Sequence, residues 1–452
     1  MSQTTTQKNA IFLQGSIFQH VVVMTLTGAL GLMTLFVVDL ADLYYLSSLN
    51  NTNIKAAIGF AGALSFANLS LCIGTGIASA ALVARNLGAG QLNRAKEFST
   101  SAMAVSLAMS AAYTLVIDIF LGPILSLMGA TGETAYQAKI FIYTLSPGFI
   151  FLGGALACSF SLRGLGDARR AMYVTLSSAI ITLILDPIFI FVFGWGVAGA
   201  AAANAISYAL CFGVGIYGLR FVHKFHTPFT IAGFKRDFPA IWAIALPSVI
   251  AQLATPFAAA YMNYALAPYG DEIVAAGTVV NRVVPVAFGV VFALAGAVGP
   301  IIGQNFGAKN FSRVKRTLRD GLIFAIIYSG VMAFLLFLLR GKIIEAFHVT
   351  GRAAELVSFF TTWISVSWAF IGGLFVANAA FNNLGKPVYS TWANWGRATL
   401  GTVPFAILGA IWGGPEGVLI GTAIGGTIFG LGAMVVAYWL VHKISDGPAN
   451  AV

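Results

Sequence analysis

The sequence predicts an all-α integral membrane protein with twelve transmembrane helices in two pseudo-symmetric six-helix lobes. Three observations carry that prediction. Of 452 residues, 58% are hydrophobic and only 9% are charged, with a mean hydropathy of +0.87; a soluble domain carries roughly 25% charged residues. The apolar residues are gathered into runs of about 20 or more, enough to cross roughly 30 Å of hydrocarbon at 1.5 Å per residue. One block of sequence also recurs at a fixed spacing in the second half of the chain. The first observation excludes a soluble enzyme, a nucleic-acid-binding module and a disordered chain, because there is too little polar surface to cover so much apolar matter.

In chain order the spans fall at 16–49, 54–84, 98–123, 136–162, 171–194, 197–222, 238–268, 273–304, 318–340, 355–383, 388–413 and 416–441. Runs such as 69–83 and 323–339 are long, apolar and without sustained alternation, so helices are expected; barrel strands would alternate. The opening MSQTTTQKNAIFLQGS is polar and leads into a long apolar run without a cleavage site, so the first span is expected to be retained. The chain carries 25 Lys plus Arg against 15 Asp plus Glu, a net +10. With the N-terminus inside, 18 of those 25 cations fall in cytoplasmic loops and ends. This asymmetry predicts an inner-membrane protein with both termini in the cytoplasm. The surplus charge therefore reports topology and calls for no nucleic-acid partner. Cys72, Cys158 and Cys211 lie in apolar runs and read as core residues.

The repeat pairs LVARNLGAGQLNRAK (82–96) with IIGQNFGAKNFSRVK (301–315), an offset of 219 (301 − 82). Asn86/Asn305, Gly88/Gly307, Ala89/Ala308, Arg94/Arg313 and Lys96/Lys315 are identical. The same offset aligns Leu165-Gly166 with Leu384-Gly385, and Ile54, Ala56 and Ala57 with Ile273, Ala275 and Ala276. Six spans separate the copies, so both enter the membrane in one orientation. The expected organisation is an N-lobe at 1–222, a cytoplasmic connector at 223–237 and a C-lobe at 238–452. Parallel halves of this kind are a transporter architecture, with the substrate path near the midplane between the halves.

Four acids fall inside spans: Asp39, Asp42, Asp118 and Asp186. Charge at bilayer depth costs about 2.5–3.5 kcal/mol on insertion scales, so such residues are functional candidates by default. Asp39 and Asp42 stand at i and i+3 in VVDLADLYYLSS, sharing a helical face; carboxylates that close do not both ionise readily. The alternative is that one of them lies near the outer end and meets water. Asp186 lies in ITLILDPIFIF. Pro187 removes a backbone donor and frees the Leu183 carbonyl, while Thr182 precedes Asp186 by one turn. Carboxylate, hydroxyl and carbonyl together are hard oxygen ligands for a proton or small cation, against the alternative of an acid merely satisfied by its neighbours. Asp118 reads as interfacial. Arg282 and Arg397 also fall in spans and would either pair with acids, the first expectation, or bind an anionic group. No metal-ligand spacing, phosphate-binding glycine loop or nucleophile elbow is present in the sequence, so no enzyme and no cofactor are expected. The 50 glycines suit close helix packing.

ADLYYLSSL, ALVARNLGAGQLNRAK, LRGLGDARRAMYV, LDPIFIFVFGWGVAGAAAANAIS and GPIIGQNFGAKN together resemble the multidrug and toxic compound extrusion (MATE) family over nearly the whole chain. The resemblance implies a cation-coupled antiporter whose two lobes open a central cleft alternately to either side. The family's first-helix acid falls on Asp42, with Asp39 an extra acid one turn earlier, and its fifth-helix acid falls on Asp186. Asn is usual four residues before that acid, where Thr182 stands here. Asn204 occupies a sixth-helix position where Thr is common, so the two polar groups look exchanged around Asp186. Tyr143 on the fourth helix would complete the network. The sodium-binding branch places acids at positions that are Thr255 and Ile371 here. The chain is therefore more similar to the DinF-like branch, with its ionisable chemistry in the N-lobe. That branch often bends its first helix at a proline; 16–49 has none, though Gly28 and Gly31 could hinge it. The implied activity is proton-coupled export of small organic compounds, cationic or amphipathic, by a monomer. Sodium held by Asp42, Asp186, Thr182 and Asn204 is the rival coupling ion. A second function, flipping a lipid-linked oligosaccharide, would need several cations gripping a pyrophosphate, and only Arg282 and Arg397 are available.

Overall fold

A computed structural model describes residues 10–47 and 52–446. Fourteen α-helices are seen among these residues: α1 Ile17–Ser47, α2 Thr52–Gly88, α3 Leu92–Leu127, α4 Gly132–Leu165, α5 Ala168–Pro187, α6 Gly196–Ile216 and α7 Ile231–Gln252; then α8 Ala254–Leu266, α9 Asp271–Gly307, α10 Phe311–Ala346, α11 Gly351–Phe359, α12 Trp368–Asn383, α13 Val388–Ala398 and α14 Val403–Asp446. Eleven helical stretches among the described residues are long and apolar enough to span a membrane. The last of them, 388–446, holds two spans. Gly413 and Gly414 leave the helical region ahead of Pro415, with φ +58° at Gly414. A Cβ on Gly417 would strike the Gly409 carbonyl, one on Gly421 that of Phe405, and one on Gly425 that of Gly401. These pairs are symmetric about residue 413, so α14 folds back as an antiparallel hairpin whose backbones touch through glycine. With that turn the fold has the expected twelve spans. Large apolar side chains such as Leu115, Ile119 and Phe120 on α3, and Ile326, Ile327 and Phe334 on α10, are more than half exposed, as lipid-facing surfaces require.

The duplication is written into the backbone. Asn86 Nδ2 donates to the Leu82 carbonyl and Asn305 Nδ2 to that of Ile301, both at 2.8 Å. The Gln91 and Asn310 N–H groups reach back to the Asn86 and Asn305 carbonyls at the same 2.8 Å. The turn residue is Gly90 at φ +76° in one copy and Lys309 at φ +57° in the other. A second pair of copies closes α4 and α12, where Gly166 (φ +96°) and Gly385 (φ +79°) lead into Asp167 N–H to Leu162 O and Lys386 N–H to Phe381 O, each 2.9 Å. These are left-handed helix caps.

The chain divides into two compact units, one comprising Leu30–Leu87 and Gln91–Val249, the other the segment up to Ala29, Gly88–Gly90 and everything from Ile250. Both α1 and α7 therefore begin in one unit and end in the other. In the Leu30–Val249 unit, α2, α3 and α4 are joined by a seam of hydroxyls. Thr75 meets Ser106 at 2.9 Å, Ser79 meets Ser161 at 2.7 Å and Ser106 donates to the Gly153 carbonyl at 2.9 Å. The connector is only partly polar surface, since Phe225 is buried against Leu162 and Leu219. In the other unit, the buried Phe12 is held by Gln304, Asn305 and Arg313. Its N–H donates to Gln304 Oε1 at 3.0 Å, and its carbonyl accepts from Asn305 Nδ2 at 3.2 Å and Arg313 Nη2 at 2.9 Å.

Candidate functional site

The site expected around Asp186 is assembled by α5 and α6. Ser178 and Ser207 meet at 3.1 Å, and Gly199 lies so close to the Phe189 carbonyl that a Cβ would approach it to 2.7 Å. Those two contacts fix the antiparallel register and set residues 182–186 level with 200–204. Thr182 and Asp186 are completely buried and Asn204 nearly so, at 4% exposure. Asn204 Nδ2 donates to the Ala200 carbonyl at 3.1 Å. The Thr182 hydroxyl has no hydrogen-bond partner among the described residues. Past Pro187 the helix widens into a π-turn over Ile188–Val192, the local answer to a missing N–H. A buried carboxylate, a buried hydroxyl and an amide thus lie within about one turn of one another along one helix pair.

Tyr143 is placed elsewhere. It is half exposed on α4, and its hydroxyl donates to the Asp118 carbonyl at 3.3 Å. Asp118 in turn accepts from Ser146 Oγ at 3.1 Å. Asp39 and Asp42 fall on α1, but their side chains lie outside the described residues. Gly31 lies against Thr175 of α5, where a Cβ would collide with the hydroxyl. No group of three or more His, Cys, Asp or Glu among the described residues could hold a metal ion.

The second unit contributes a feature that the sequence did not announce. The span 388–413 breaks at Thr399–Thr402, between α13 and α14. Arg397 sits at the break with its Nε buried and without a partner among the described residues. Its Nη2 donates to Thr255 Oγ1 at 3.3 Å. Trp395 Nε1 donates to the Ile250 carbonyl at 2.8 Å. No carboxylate of the described residues forms an ion pair with Arg397 or with the exposed Arg282, so the expected structural pairing is not found there. The signal for the break was present in Thr399, Gly401, Thr402 and Pro404, clustered in the middle of an apolar span.

The comparisons with known proteins agree with this architecture. An FAD transporter of Shewanella oneidensis is 28% identical over 433 residues, covering 94% of each chain. The multidrug export protein MepA of Staphylococcus haemolyticus is 25% identical and covers 98% of each. Among solved structures, an outward-facing multidrug resistance MATE family transporter superposes with a TM-score of 0.91 at 22% identity, over 97% of this chain and 99% of that one. The Vibrio cholerae MATE transporter VcmN in its bent form gives 0.87 at 22% identity, over 98% and 100%. The sequence profile of the MatE family matches residues 28–188 and 247–408, one stretch in each copy of the repeat. A multi-pass helical protein with that duplicated match belongs to the MATE family, whose members are transporters and not enzymes.

Proposed function

We propose that the protein exports amphipathic organic compounds across the inner membrane, as a monomer, by alternating-access antiport against protons. The supporting observation is the complete burial of Asp186, one turn from the buried Thr182 and within about a turn of Asn204 on the neighbouring helix. An acid held at depth changes charge when it changes protonation state, and that change alters which helix packing is favoured. Deprotonated Asp186, with Asp42 and Asp39 on α1, organises the N-half for cargo. Protonation from outside removes charge and acceptor capacity there, and the helices repack around a neutral side chain as cargo leaves. Asn204 and Thr182 supply the dipoles that make both states tolerable, and Tyr143 supports α4 through Asp118. Confinement of the acid chemistry to the first half favours the DinF-like branch.

The test is transport in proteoliposomes under an imposed pH jump. Asp186→Asn is expected to abolish proton-driven uptake while leaving cargo binding measurable. Wild-type, proton-coupled rates in that variant would overturn the assignment. A sodium jump at clamped pH separates the rival ion: uptake driven by sodium alone would transfer the same oxygen cluster to Na+.

A further inference from the structure

Two helical spans are interrupted within the unit that runs from Ile250, and the interruptions meet. One is the single turn residue Leu253, between α7 and α8 and still at helical angles (φ −74°, ψ −15°); the other is 399–402, between α13 and α14. The indole of Trp395 donates to the Ile250 carbonyl beside the first break, and its ring lies 5.5 Å from that of Phe257. Ala254, Ala258 and Ala398 are buried against Trp395, so the junction is closely packed. Arg397 and Thr255 stand on either side of it, in contact at 3.3 Å. A guanidinium at this depth is costly unless something negative answers it, and no described carboxylate does. Its buried Nε has an unused donor direction. Broken helices at the midplane are where transporters place charged ligand groups. About 9 Å further along α8, six residues at 1.5 Å each, an apolar pocket of 340 Å³ opens between α8 and α14, lined by Tyr261, Tyr264, Ala406 and Ile407.

We propose that Arg397 and Thr255 bind the acidic group, carboxylate or phosphate, of an amphipathic aromatic cargo. The guanidinium fork matches either oxyanion in a planar two-bond geometry, which a lysine does not. The Thr255 hydroxyl donates a third hydrogen bond. Phe257, Trp395 and the Tyr261–Ile407 pocket receive the apolar body. The inference rests on the exporter reading for the cargo's role but locates a subsite in the half of the chain that carries no coupling acid.

The test uses the purified full chain in a neutral detergent without added lipid, and two probes with the same ring system and opposite charge, fluorescein and rhodamine 6G. Binding is read by fluorescence polarisation. Arg397→Gln is expected to weaken fluorescein binding about tenfold or more, and Thr255→Val severalfold, through loss of charge-assisted bonds. Arg397→Lys retains part of the affinity, and rhodamine 6G changes less than twofold throughout. Equal losses for both dyes would assign Arg397 a purely structural role and overturn the proposal. Unchanged fluorescein binding, or none by the wild type, would also overturn it. Adding anionic lipid vesicles distinguishes sources: competition with fluorescein would mean that a lipid headgroup reaches the same guanidinium. Transport by the same variants is measured separately. Charge-selective binding without transport of either dye refutes the exporter reading and leaves the subsite standing, whereas transport of both dyes unaffected by Arg397→Gln refutes the subsite alone.

Discussion

Replacing Asp237 by alanine should loosen the start of α7 by a predictable amount. The carboxylate is fully buried, and it accepts from Arg94 Nη2 at 3.1 Å, Arg236 Nε at 3.0 Å and Ser101 Oγ at 2.9 Å. Breaking a buried pair by deleting one partner typically costs about 3–5 kcal/mol, mostly from the charge left behind. Here that charge is not stranded. The Arg94 and Arg236 side chains are 33% and 53% exposed, and Glu97 still holds both, at 2.5 Å and 2.7 Å. The residual cost is the Ser101 bond, about 1 kcal/mol, plus two charge-assisted bonds discounted for hydration, together about 2 kcal/mol. Thermal unfolding in detergent, followed by tryptophan fluorescence, should show a lowered midpoint. Limited proteolysis should show faster cleavage within 223–237. Glu97→Ala, which removes a partly exposed partner, should cost about 1 kcal/mol or less. A midpoint equal to wild type for Asp237→Ala, or an Arg94→Ala/Asp237→Ala pair that is strictly additive, would refute the clamp.

Three further outcomes follow from the fold. Gly425→Ala drives a methyl into the Gly401 carbonyl, and backbone cannot rotate aside, so a loss of about 1–3 kcal/mol is expected in the same unfolding assay, against near-neutrality for Gly432→Ala, which faces open space. Lys309 holds φ +57° where its repeat copy is Gly90; Lys309→Gly removes left-handed strain worth about 1 kcal/mol and should raise the midpoint, and Gly90→Lys should lower it. At Asp167, burial alone would raise the carboxyl's pKa, but hydrogen bonds from His223 and from the Arg170 backbone and side chain outweigh it and hold the group well below the usual carboxylate range. A pKa depressed on folding adds stability above the unfolded value, about 3.9, and loses it as pH falls towards the folded one. Asp167→Asn should therefore be less stable than wild type near neutral pH, by a margin that shrinks below about pH 4.

Much of the fold was legible because hydrocarbon leaves a chain few choices. Backbone groups must be satisfied within helices, so twelve apolar runs became twelve spans, and the 219-residue offset survives as matched hydrogen bonds at Asn86 and Asn305. Thr182, Asp186 and Asn204 were legible for a related reason: polar groups that deep have few explanations. What the sequence hid was lateral. A serine in a membrane helix can bond its own preceding turn, as Ser70 does to Phe66, or reach a neighbour, as Ser79 does to Ser161. Spacing does not tell these apart. Tyr143 was assigned to the Asp186 network by resemblance, yet it faces Asp118. The break at 399–402 carried a signal in Thr399, Gly401, Thr402 and Pro404, but Thr and Gly are also ordinary residues in membrane helices, and packing shows where the backbone leaves the helix.

The repeat also clarifies the charges. The matched caps at Gly166 and Gly385 align α5 with α13 and the start of α14, so these are the fifth spans of their halves. The offset sets Asp186 against Phe405 and Arg397 against Ser178. Each half therefore carries one in-span charge on the same span, at different depths and of opposite sign. Duplication produced two equal scaffolds, and a scaffold alone does not require a charge, since each half accommodates an uncharged residue where the other is ionic. A purely structural need would have kept the same residue in both copies, as it kept Arg94 and Arg313 at the matched turns. The division instead matches the two tasks proposed for them. An acid proposed to gain and lose a proton is enclosed, as Asp186 is, completely buried. A cation proposed to meet a ligand has an open side, as Arg397 does, only partly buried at a break in its helix.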